Sequence, residues 1–187
     1  MSVKSDLELV KDFQAGNVEA FNELVRRYQQ KVYWIARRMV GGHHEADDIT
    51  QEVFVKTYKK IKDFRSDSSF YTWIYRITTN TAINVLRQRK IVNIVRLDEA
   101  FPALSSMSDD SLDPGKKLEI KENQSLLEEA ILKLPAKQKK VFVLRYYEEI
   151  PYEDISKMLK ITVGGLKANY FHALKNIQRY VKRKTDL

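Results

Sequence analysis

One continuous stretch, residues 47–90, constrains the fold of this chain more than any other part. It reads DDITQEVFVKTYKKIKDFRSDSSFYTWIYRITTNTAINVLRQRK, and its apolar residues recur at spacings of three and four. That spacing places side chains on one face of a helix, and the face must be buried. The first such face is formed by Ala46, Ile49, Val53, Thr57, Ile61 and Phe64. A polar, glycine-free loop runs from Arg65 to Ser69, and a second helix begins at Phe70.

The second predicted helix carries two different stripes of side chains. One stripe is apolar and predicts a buried face. The other lies about 100° further round the helix, and it combines an aromatic ring with amides and guanidinium groups: Trp73, Arg76, Asn80, Asn84 and Arg87. Such groups hydrogen-bond base edges, pair with phosphates and stack on bases. The second stripe therefore predicts contact with a nucleic acid.

The composition supports a nucleic-acid partner. The 187 residues are enough for one or two small domains. A net charge of +8 and a pI near 9.5 favour a polyanionic partner, and nucleic acid is favoured over an anionic membrane surface. The absence of cysteine excludes a disulfide framework and a thiolate metal site. The opening sequence MSVKSDLELV lacks the apolar core of a signal peptide, which predicts a cytoplasmic protein.

The sequence lacks the patterns that enzymes and metal proteins require. It has no glycine-rich phosphate loop and no nucleophile next to a base, and Gly164-Gly165 is too short to cradle a nucleotide. Adjacent His43 and His44 cannot both point inward from a helix, so a solvated turn is predicted there rather than a metal site. We therefore expect no catalysis, no metal and no cofactor.

Two further helices are predicted before residue 47. A short one ends near Gly16, because glycine readily adopts the left-handed conformation of a helix end. Asn17 can cap the next helix, which continues until Gly41-Gly42 stops it. Its apolar face keeps the three-and-four spacing and predicts a long core helix: Phe21, Leu24, Val25, Tyr28, Val32, Ile35 and Met39.

The character of the sequence changes after Lys90. Residues 91–118 contain Pro102, Pro114, four closely spaced serines and several acids, without a sustained helical period. This composition predicts a linker, with a domain boundary near its start. A long loop packed onto one domain is the alternative.

Helical patterning resumes after the linker. Apolar residues with helical spacing lie on both sides of Pro135: Leu126, Leu127, Ala130, Ile131 and Leu134 before it, then Val141, Phe142, Leu144 and Tyr146. Pro151 suits the first turn of another helix. The connection Lys160-Ile161-Thr162 is short, and Thr162 can cap the last helix. Two short helices joined by three residues predict a helix-turn-helix.

The last helix is predicted to turn its apolar residues inward and a polar face outward. The inward side chains are Leu166, Tyr170, Leu174 and Ile177. The outward ones are of the kind that a recognition helix needs in a major groove: Lys167, Ala168, Asn169, His172 and Lys175. A helical hairpin with a merely solvated basic face is the alternative.

Several of these motifs, taken in order, resemble those of the extracytoplasmic-function sigma factors of the sigma-E type. The resemblance rests on Asp48, Gln51, Glu52 and Phe54, the loop FRSDSSFYTW, the run YRITTNTAIN and the terminal YEDISKMLKITVGGLK. It implies an all-α fold of two small domains: a sigma-two domain over residues 1–90, a flexible linker over 91–120, and a sigma-four domain with the helix-turn-helix over 121–187. It also implies a transcription initiation factor without catalytic activity of its own.

The resemblance implies specific partners. The family binds the β′ and β subunits of core RNA polymerase and promoter DNA, is inhibited by an anti-sigma factor that is often membrane-bound, and has no small-molecule substrate. The residues expected to lie against the coiled coil of β′ are Asp48, Gln51, Glu52 and Val55. Carboxylates on a basic protein fit a positively charged protein partner. A solvated acidic turn near a helix N-terminus is the alternative.

The resemblance also implies two DNA-reading surfaces. The loop from Phe64 to Tyr71 matches the one that captures a flipped minus-ten base, with Asn80 at its floor. The residues expected at the minus-ten element are Phe64, Arg65, Ser68, Tyr71, Trp73, Arg76, Asn80, Asn84 and Arg87. Those expected at the minus-thirty-five element are Thr162, Lys167, Ala168, Asn169, His172 and Lys175. Because Asn169 and His172 stand where arginine is common in the family, we expect Lys167 and Asn169 to read most of that element, with modest affinity.

Two other classes of protein stay open. A helix-turn-helix repressor would bind two operator half-sites as a dimer and would leave residues 47–90 without a role, so oligomeric state distinguishes it from a sigma factor. An RNA-binding adaptor would bind single strands without polymerase.

Overall fold

The computed structural model describes residues 4–66, 68–95 and 124–186, which contain helices and no strand. The elements of the first domain are α1 (Asp6–Gln14), α2 (Val18–Val40), α3 (His43–Lys60), a 3₁₀ turn (Ile61–Asp63) and α4 (Phe70–Val95). Those of the second are α5 (124–132), α6 (Ala136–Phe142), a π-helical turn (Val143–Tyr147), α7 (Tyr152–Leu159) and α8 (Val163–Thr185). The predicted all-α fold with two helical domains is confirmed. Each described helix is too short or too polar to span a lipid bilayer.

Two helix boundaries differ from the prediction. Helix α4 continues past Lys90 to Val95, because no proline or glycine interrupts residues 91–95. The rest of the predicted linker, residues 96–120, lies outside the described residues. Helix α3 begins at His43, so both adjacent histidines lie exposed in its first turn.

The predicted helix ends are confirmed where single residues decide them. Gly16 has a φ of 103° and Gly41 a φ of 87°, both in the left-handed region that follows a helix. The side chain of Asn17 accepts a hydrogen bond of 3.1 Å from the backbone N–H of Glu19. The first turn of α2 is thereby capped as expected.

The core of the first domain lies where α2, α3 and α4 face one another. Its fully buried side chains include Leu24, Val32, Ile35, Met39, Ala46, Val53, Ile61 and Ile74. A fully buried aliphatic side chain of this size contributes about 1.5–3 kcal/mol, so this seam is the main source of the domain's stability. Phe64 differs from the rest of the predicted α3 face because it is only half-buried.

The second domain packs α6 against α8, and two of its apolar residues are exposed, one of which, Leu174, was predicted to face inward. Tyr146 is 51% exposed, because the π-helical turn adds a residue to the helical repeat and leaves Tyr147 half-buried instead. Leu174 is 36% exposed, and the neighbouring Ala173 is fully buried. The small alanine lets α8 approach α6 closely.

The two domains share an apolar boundary. The core of the first domain continues into a face of the second that consists of Val141, Val143, Leu144, Ile150, Ile155, Met158 and Leu166. Gly41 lies at this boundary, where a Cβ atom added to it would be 2.9 Å from Leu132 Cδ1. The glycine that ends α2 therefore also makes room for α5.

A buried arginine and a half-buried glutamate accompany the apolar contacts. Arg37 of α2 is 2% exposed, and its Nε and Nη1 atoms find no hydrogen-bond partner among the described residues. Oε2 of Glu128 in α5 is likewise without one in that part of the chain. Burial lowers the pKa of Arg37 and raises the pKa of Glu128, while each charge partly offsets the shift of the other. The contact between the two domains thus includes charged groups that have lost water without gaining a full set of hydrogen bonds.

Candidate DNA-binding and polymerase-binding surfaces

Helix α3 presents an acidic stripe to solvent. Its buried residues, among them Ile49 and Val53, place the opposite side outward. The four predicted polymerase contacts are all exposed on that side: Asp48, Gln51, Glu52 and Val55. Glu52 forms an ion pair with Lys56 one turn later. The stripe offers carboxylates and one exposed apolar side chain to a partner.

An aromatic cluster joins the loop before α4 to the first turn of that helix. The ring of Trp73 lies 5.2 Å from that of Phe64 and 5.8 Å from that of Phe70. Phe70 is buried, whereas Phe64 and Trp73 are half-buried and keep part of their surface accessible. Gln14 holds the start of the loop, since its Nε2 donates to the carbonyl oxygens of Ile61 and Phe64 at 3.0 and 3.2 Å. This role of Gln14 was not predicted, because no local pattern in the sequence indicates it.

A cavity of about 270 Å³ opens beside this cluster. Its lining combines aromatic, cationic and small polar side chains: Asp63, Phe64, Arg65, Ser68, Thr72, Trp73, Arg76, Lys157 and Met158. Most of these are predicted minus-ten residues. Lys157 and Met158 belong to α7 of the second domain and were not predicted. The cavity has the aromatic surface and positive charge that an unstacked nucleotide requires.

The remaining predicted minus-ten residues lie outside the cavity. Asn84 and Arg87 are exposed further along α4. The hydroxyl of Tyr71 donates to Oδ2 of Asp154 at 3.3 Å. Asn80 is exposed, and its Oδ1 accepts a 2.6 Å hydrogen bond from Nζ of Lys140. Two of these predicted DNA contacts are therefore engaged by the second domain.

Lys140 lies in an unusual environment for a lysine. Burial, and to a smaller extent the charge of Arg76, lower the pKa of its ammonium group to about 8. Lys140 was not predicted as a site residue, since a lysine in the run AKQKK has the pattern of a solvated helix face.

Helix α8 presents the predicted recognition face with one exception. Thr162 caps the helix by accepting from the backbone N–H of Gly165 at 3.2 Å. Lys167, Ala168, His172 and Lys175 are exposed. Asn169, by contrast, is half-buried.

The amide of Asn169 is occupied within its own helix. Its Nδ2 donates to the carbonyl oxygen of Gly165 at 2.7 Å, which leaves the expected adenine-reading group turned toward the backbone. Phe171 is 54% exposed and shares a stripe with Lys167 and Lys175, four residues to either side. Nζ of Lys175 lies 5.0 Å from the centre of the Phe171 ring. Phe171 was not predicted as a DNA contact, although its spacing of four residues from each lysine places it on the same face of α8.

Comparison with known families matches both domains. Residues 24–91 match the family described as Sigma-70 region 2. Residues 124–177 match the family described as Sigma-70, region 4. The first match contains the acidic stripe and the aromatic cluster, and the second contains most of α8.

Several characterised proteins resemble the chain over nearly its whole length. The RNA polymerase sigma-H factor of Pseudomonas aeruginosa is 32% identical over 183 residues, covering 96% of this chain and 95% of that protein. The sigma factor SigW of Bacillus subtilis, of the extracytoplasmic-function (ECF) class, is 32% identical, with coverage of 92% and 95%. The ECF sigma-E factor of Haemophilus influenzae is 34% identical, with coverage of 95% and 96%.

Solved structures share the fold. The sigma factor RpoE of Bartonella quintana, in complex with the anti-sigma factor NepR, superposes with a TM-score of 0.70 at 20% identity, covering 87% of this chain and 96% of that one. CnrH, in complex with the cytosolic domain of CnrY, gives a TM-score of 0.69 at 19% identity, with coverage of 96% and 99%.

Proposed function

The chain belongs to the extracytoplasmic-function sigma factors, and we propose from this premise how its surfaces divide the work of promoter-specific transcription initiation. The first domain binds core RNA polymerase and reads the minus-ten element. The second domain reads the minus-thirty-five element. Both family matches and the nearly full-length relatives support this division.

The cavity beside Trp73 is the main observation that supports binding of the minus-ten element by the first domain. Phe64 and Trp73 offer ring surfaces on which a base that has left the duplex can stack, and stacking on an aromatic side chain is worth about 1–3 kcal/mol per base. Arg65 and Arg76 bring positive charge to the same space, and Ser68 brings a hydroxyl group. These groups together replace the stacking and pairing that a flipped base loses. The first domain thereby captures a base of the melted strand.

The stripe along α4 extends this surface. Asn80 supplies an amide that can hydrogen-bond a base edge. Asn84 and Arg87 continue in the same direction and are exposed to solvent. They contact the sugar-phosphate backbone and hold the strand in register, as phosphate contacts do in other DNA complexes.

Helix α8 reads the minus-thirty-five duplex. Thr162 positions its first turn, and Lys167 and Lys175 supply donors and positive charge. Ala168 and Phe171 offer apolar surface to thymine methyl groups. His172 completes the exposed face, while Asn169 contributes only if it gives up its hydrogen bond to Gly165.

The acidic stripe of α3 binds the polymerase. Asp48 and Glu52 place exposed negative charge on a chain whose net charge is +8, and this contrast suits a basic coiled coil on the β′ subunit. Because core polymerase and the chromosome lie in the cytoplasm, the chain acts there. An anti-sigma factor holds it inactive, as the complex of RpoE with NepR suggests by analogy.

A pull-down with core polymerase, followed by run-off transcription on genomic fragments, tests the assignment. We expect one copy of the chain per polymerase and transcripts that core polymerase does not make alone. A chain that fails to bind core polymerase, yet binds palindromic duplexes as a dimer, would be a repressor instead.

A further inference from the structure

The second domain contacts the candidate minus-ten surface at three separate places. Nζ of Lys140 donates to Oδ1 of Asn80 at 2.6 Å. Asp154 accepts from the hydroxyl of Tyr71 at 3.3 Å. Lys157 and Met158 form part of the wall of the cavity beside Trp73.

From these contacts we infer that in the free chain the second domain competes with the promoter strand for the minus-ten surface. The inference rests on the proposed function of that surface and adds its regulation. A DNA strand that enters the cavity has to displace Met158. A base that hydrogen-bonds the amide of Asn80 has to displace Lys140. Promoter reading and domain contact are therefore mutually exclusive.

The contacts at the DNA-reading residues are part of a larger interface. Glu148 at the end of the π-helical turn lies 3.5 Å from Nη1 of Arg38 on α2. The guanidinium carbon of Arg38 lies 4.0 Å from the centre of the Tyr147 ring. These contacts, with the apolar boundary around Met158, hold the second domain in a defined position. Its position therefore does not depend on a single flexible side chain such as Lys140.

Electrostatics make the contact exchangeable. Lys140 and Lys157 place positive charge beside the surface that the strand would occupy, so an incoming polyanion is attracted to the groups it displaces. A segment with the number of residues found between 95 and 124 can span up to roughly 90 Å when fully extended, so its length does not prevent the domains from separating. The apparent affinity of the free chain for a minus-ten strand is then reduced by the fraction of open molecules.

A pair of substitutions on the second domain tests the competition without changing a DNA-reading residue. The latch variant Lys140→Ala with Asp154→Ala removes both hydrogen bonds. The matched control, Lys137→Ala with Glu153→Ala, removes the same charges from exposed positions on the same two helices. Lys140→Met alone is a second, milder variant that keeps most of the side-chain volume. Circular dichroism establishes that each variant is folded.

Tryptophan fluorescence reports on domain contact independently of DNA. The chain has two tryptophans, so Trp34→Phe leaves Trp73 in the cavity as the single reporter. In this background we expect acrylamide to quench Trp73 more strongly in the latch variant and in Lys140→Met than in the control. Unchanged quenching in both variants would overturn the inference, whatever the surface binds.

Binding of a fluorescein-labelled, randomised single-stranded oligonucleotide gives the second readout. We expect the latch variant to bind about tenfold more tightly than the control, because two net hydrogen bonds no longer favour the closed form. Stronger quenching together with tighter binding supports the competition. Stronger quenching without tighter binding would overturn it and would place the error in the minus-ten assignment, so the two failures are distinguishable.

Discussion

Nζ of Lys139 lies 3.1 Å from the carbonyl oxygen of Met39, so a buried lysine of the second domain donates to the last turn of α2 in the first. The same atom lies 2.9 Å from the carbonyl oxygen of Leu132 at the end of α5. Carbonyl groups in the last turn of a helix lack intrahelical partners and carry partial negative charge. One side chain therefore links α2, α5 and α6.

Removing this link should lower stability. Lys139→Met keeps the apolar stem but leaves two carbonyl groups without this donor, and we expect the free energy of unfolding to fall by about 1–3 kcal/mol. Denaturant titration followed by circular dichroism measures the loss. The control Lys137→Met, at an exposed position of the same helix, should stay within about 0.5 kcal/mol of wild type. Equal stability of the two variants would contradict the assignment.

Charge reversal on α3 should weaken polymerase binding. Asp48→Lys with Glu52→Lys changes two exposed positions. We therefore expect each substitution to lower the free energy of unfolding by no more than about 0.5 kcal/mol, as is usual for surface positions. Affinity for core polymerase should fall in a titration at moderate salt, since the partner's coil is positively charged. Glu19→Lys with Glu153→Lys makes the same charge change at exposed positions elsewhere. Wild-type affinity in the α3 variant would show that polymerase docks on another face.

Truncation of Asn80 should relax base choice in the minus-ten element. Loss of a base-edge hydrogen bond reduces discrimination by about 1–3 kcal/mol. Phe64→Ala should instead impair melting at every sequence and lower stability, by less than the roughly 3–5 kcal/mol of a fully buried phenylalanine, because the ring is half-buried. Permanganate footprinting of polymerase on minus-ten variants separates the two effects. If Asn80→Ala keeps its base preference, the amide does not read the strand.

Phe171 and Lys175 should contribute different terms to minus-thirty-five binding. Phe171→Ala removes the exposed ring, so we expect reduced preference for thymine-containing duplexes with an unchanged salt dependence. Lys175→Ala should weaken binding to all sequences and reduce the salt slope by about one. Fluorescence anisotropy of the full chain across a salt series measures both quantities. Asn169→Ala is the comparison variant. A larger loss of sequence preference in Asn169→Ala than in Phe171→Ala would show that the Asn169 amide, and not the Phe171 ring, recognises the bases.

Closure of the two domains should strengthen as the pH rises. Burial, and secondarily Arg76, lower the pKa of Lys140 from 10.5 to about 8 where it faces Asn80. Arg76 belongs to the first domain, so its share of the shift is lost when the domains separate, and the closed chain binds fewer protons than the open chain at pH values near and above 8. Closure is therefore favoured as the pH increases through that range. Acrylamide quenching of Trp73 in the Trp34→Phe background should decrease from about pH 7 to about pH 9. Lys140→Met should remove the change, and a pH response that persists in it would assign the effect to another group.

The features that follow from the sequence are those decided by neighbouring residues. Gly16, Asn17, Gly41 and Thr162 end or cap helices as predicted, because one residue and the next turn determine such a structure. The buried face of α3 follows from its period in the same way. The grouping of aromatic and cationic residues around Trp73 also follows, since they lie on one short loop and one helix.

The features that could not be predicted depend on distant residues or on small irregularities. Lys140 meets Asn80 only because the two domains pack together, and nothing near either residue in the sequence indicates it. The π-helical turn moves Tyr146 out of the core by a single residue. Asn169 is turned away from the outward face by a hydrogen bond to Gly165, which spacing alone does not indicate.

The burial of Arg37 has a consequence for how easily the closed chain opens. Removing charged groups from water is costly when hydrogen bonds do not replace their hydration, and Nε and Nη1 of Arg37 have no such replacement among the described residues. Glu128 belongs to the second domain and Arg37 to the first, so separation of the domains parts the two charges and exposes Glu128 to more water. The hydration that this pair regains offsets part of the apolar contact that is lost, which lowers the free energy that a partner has to supply to open the chain.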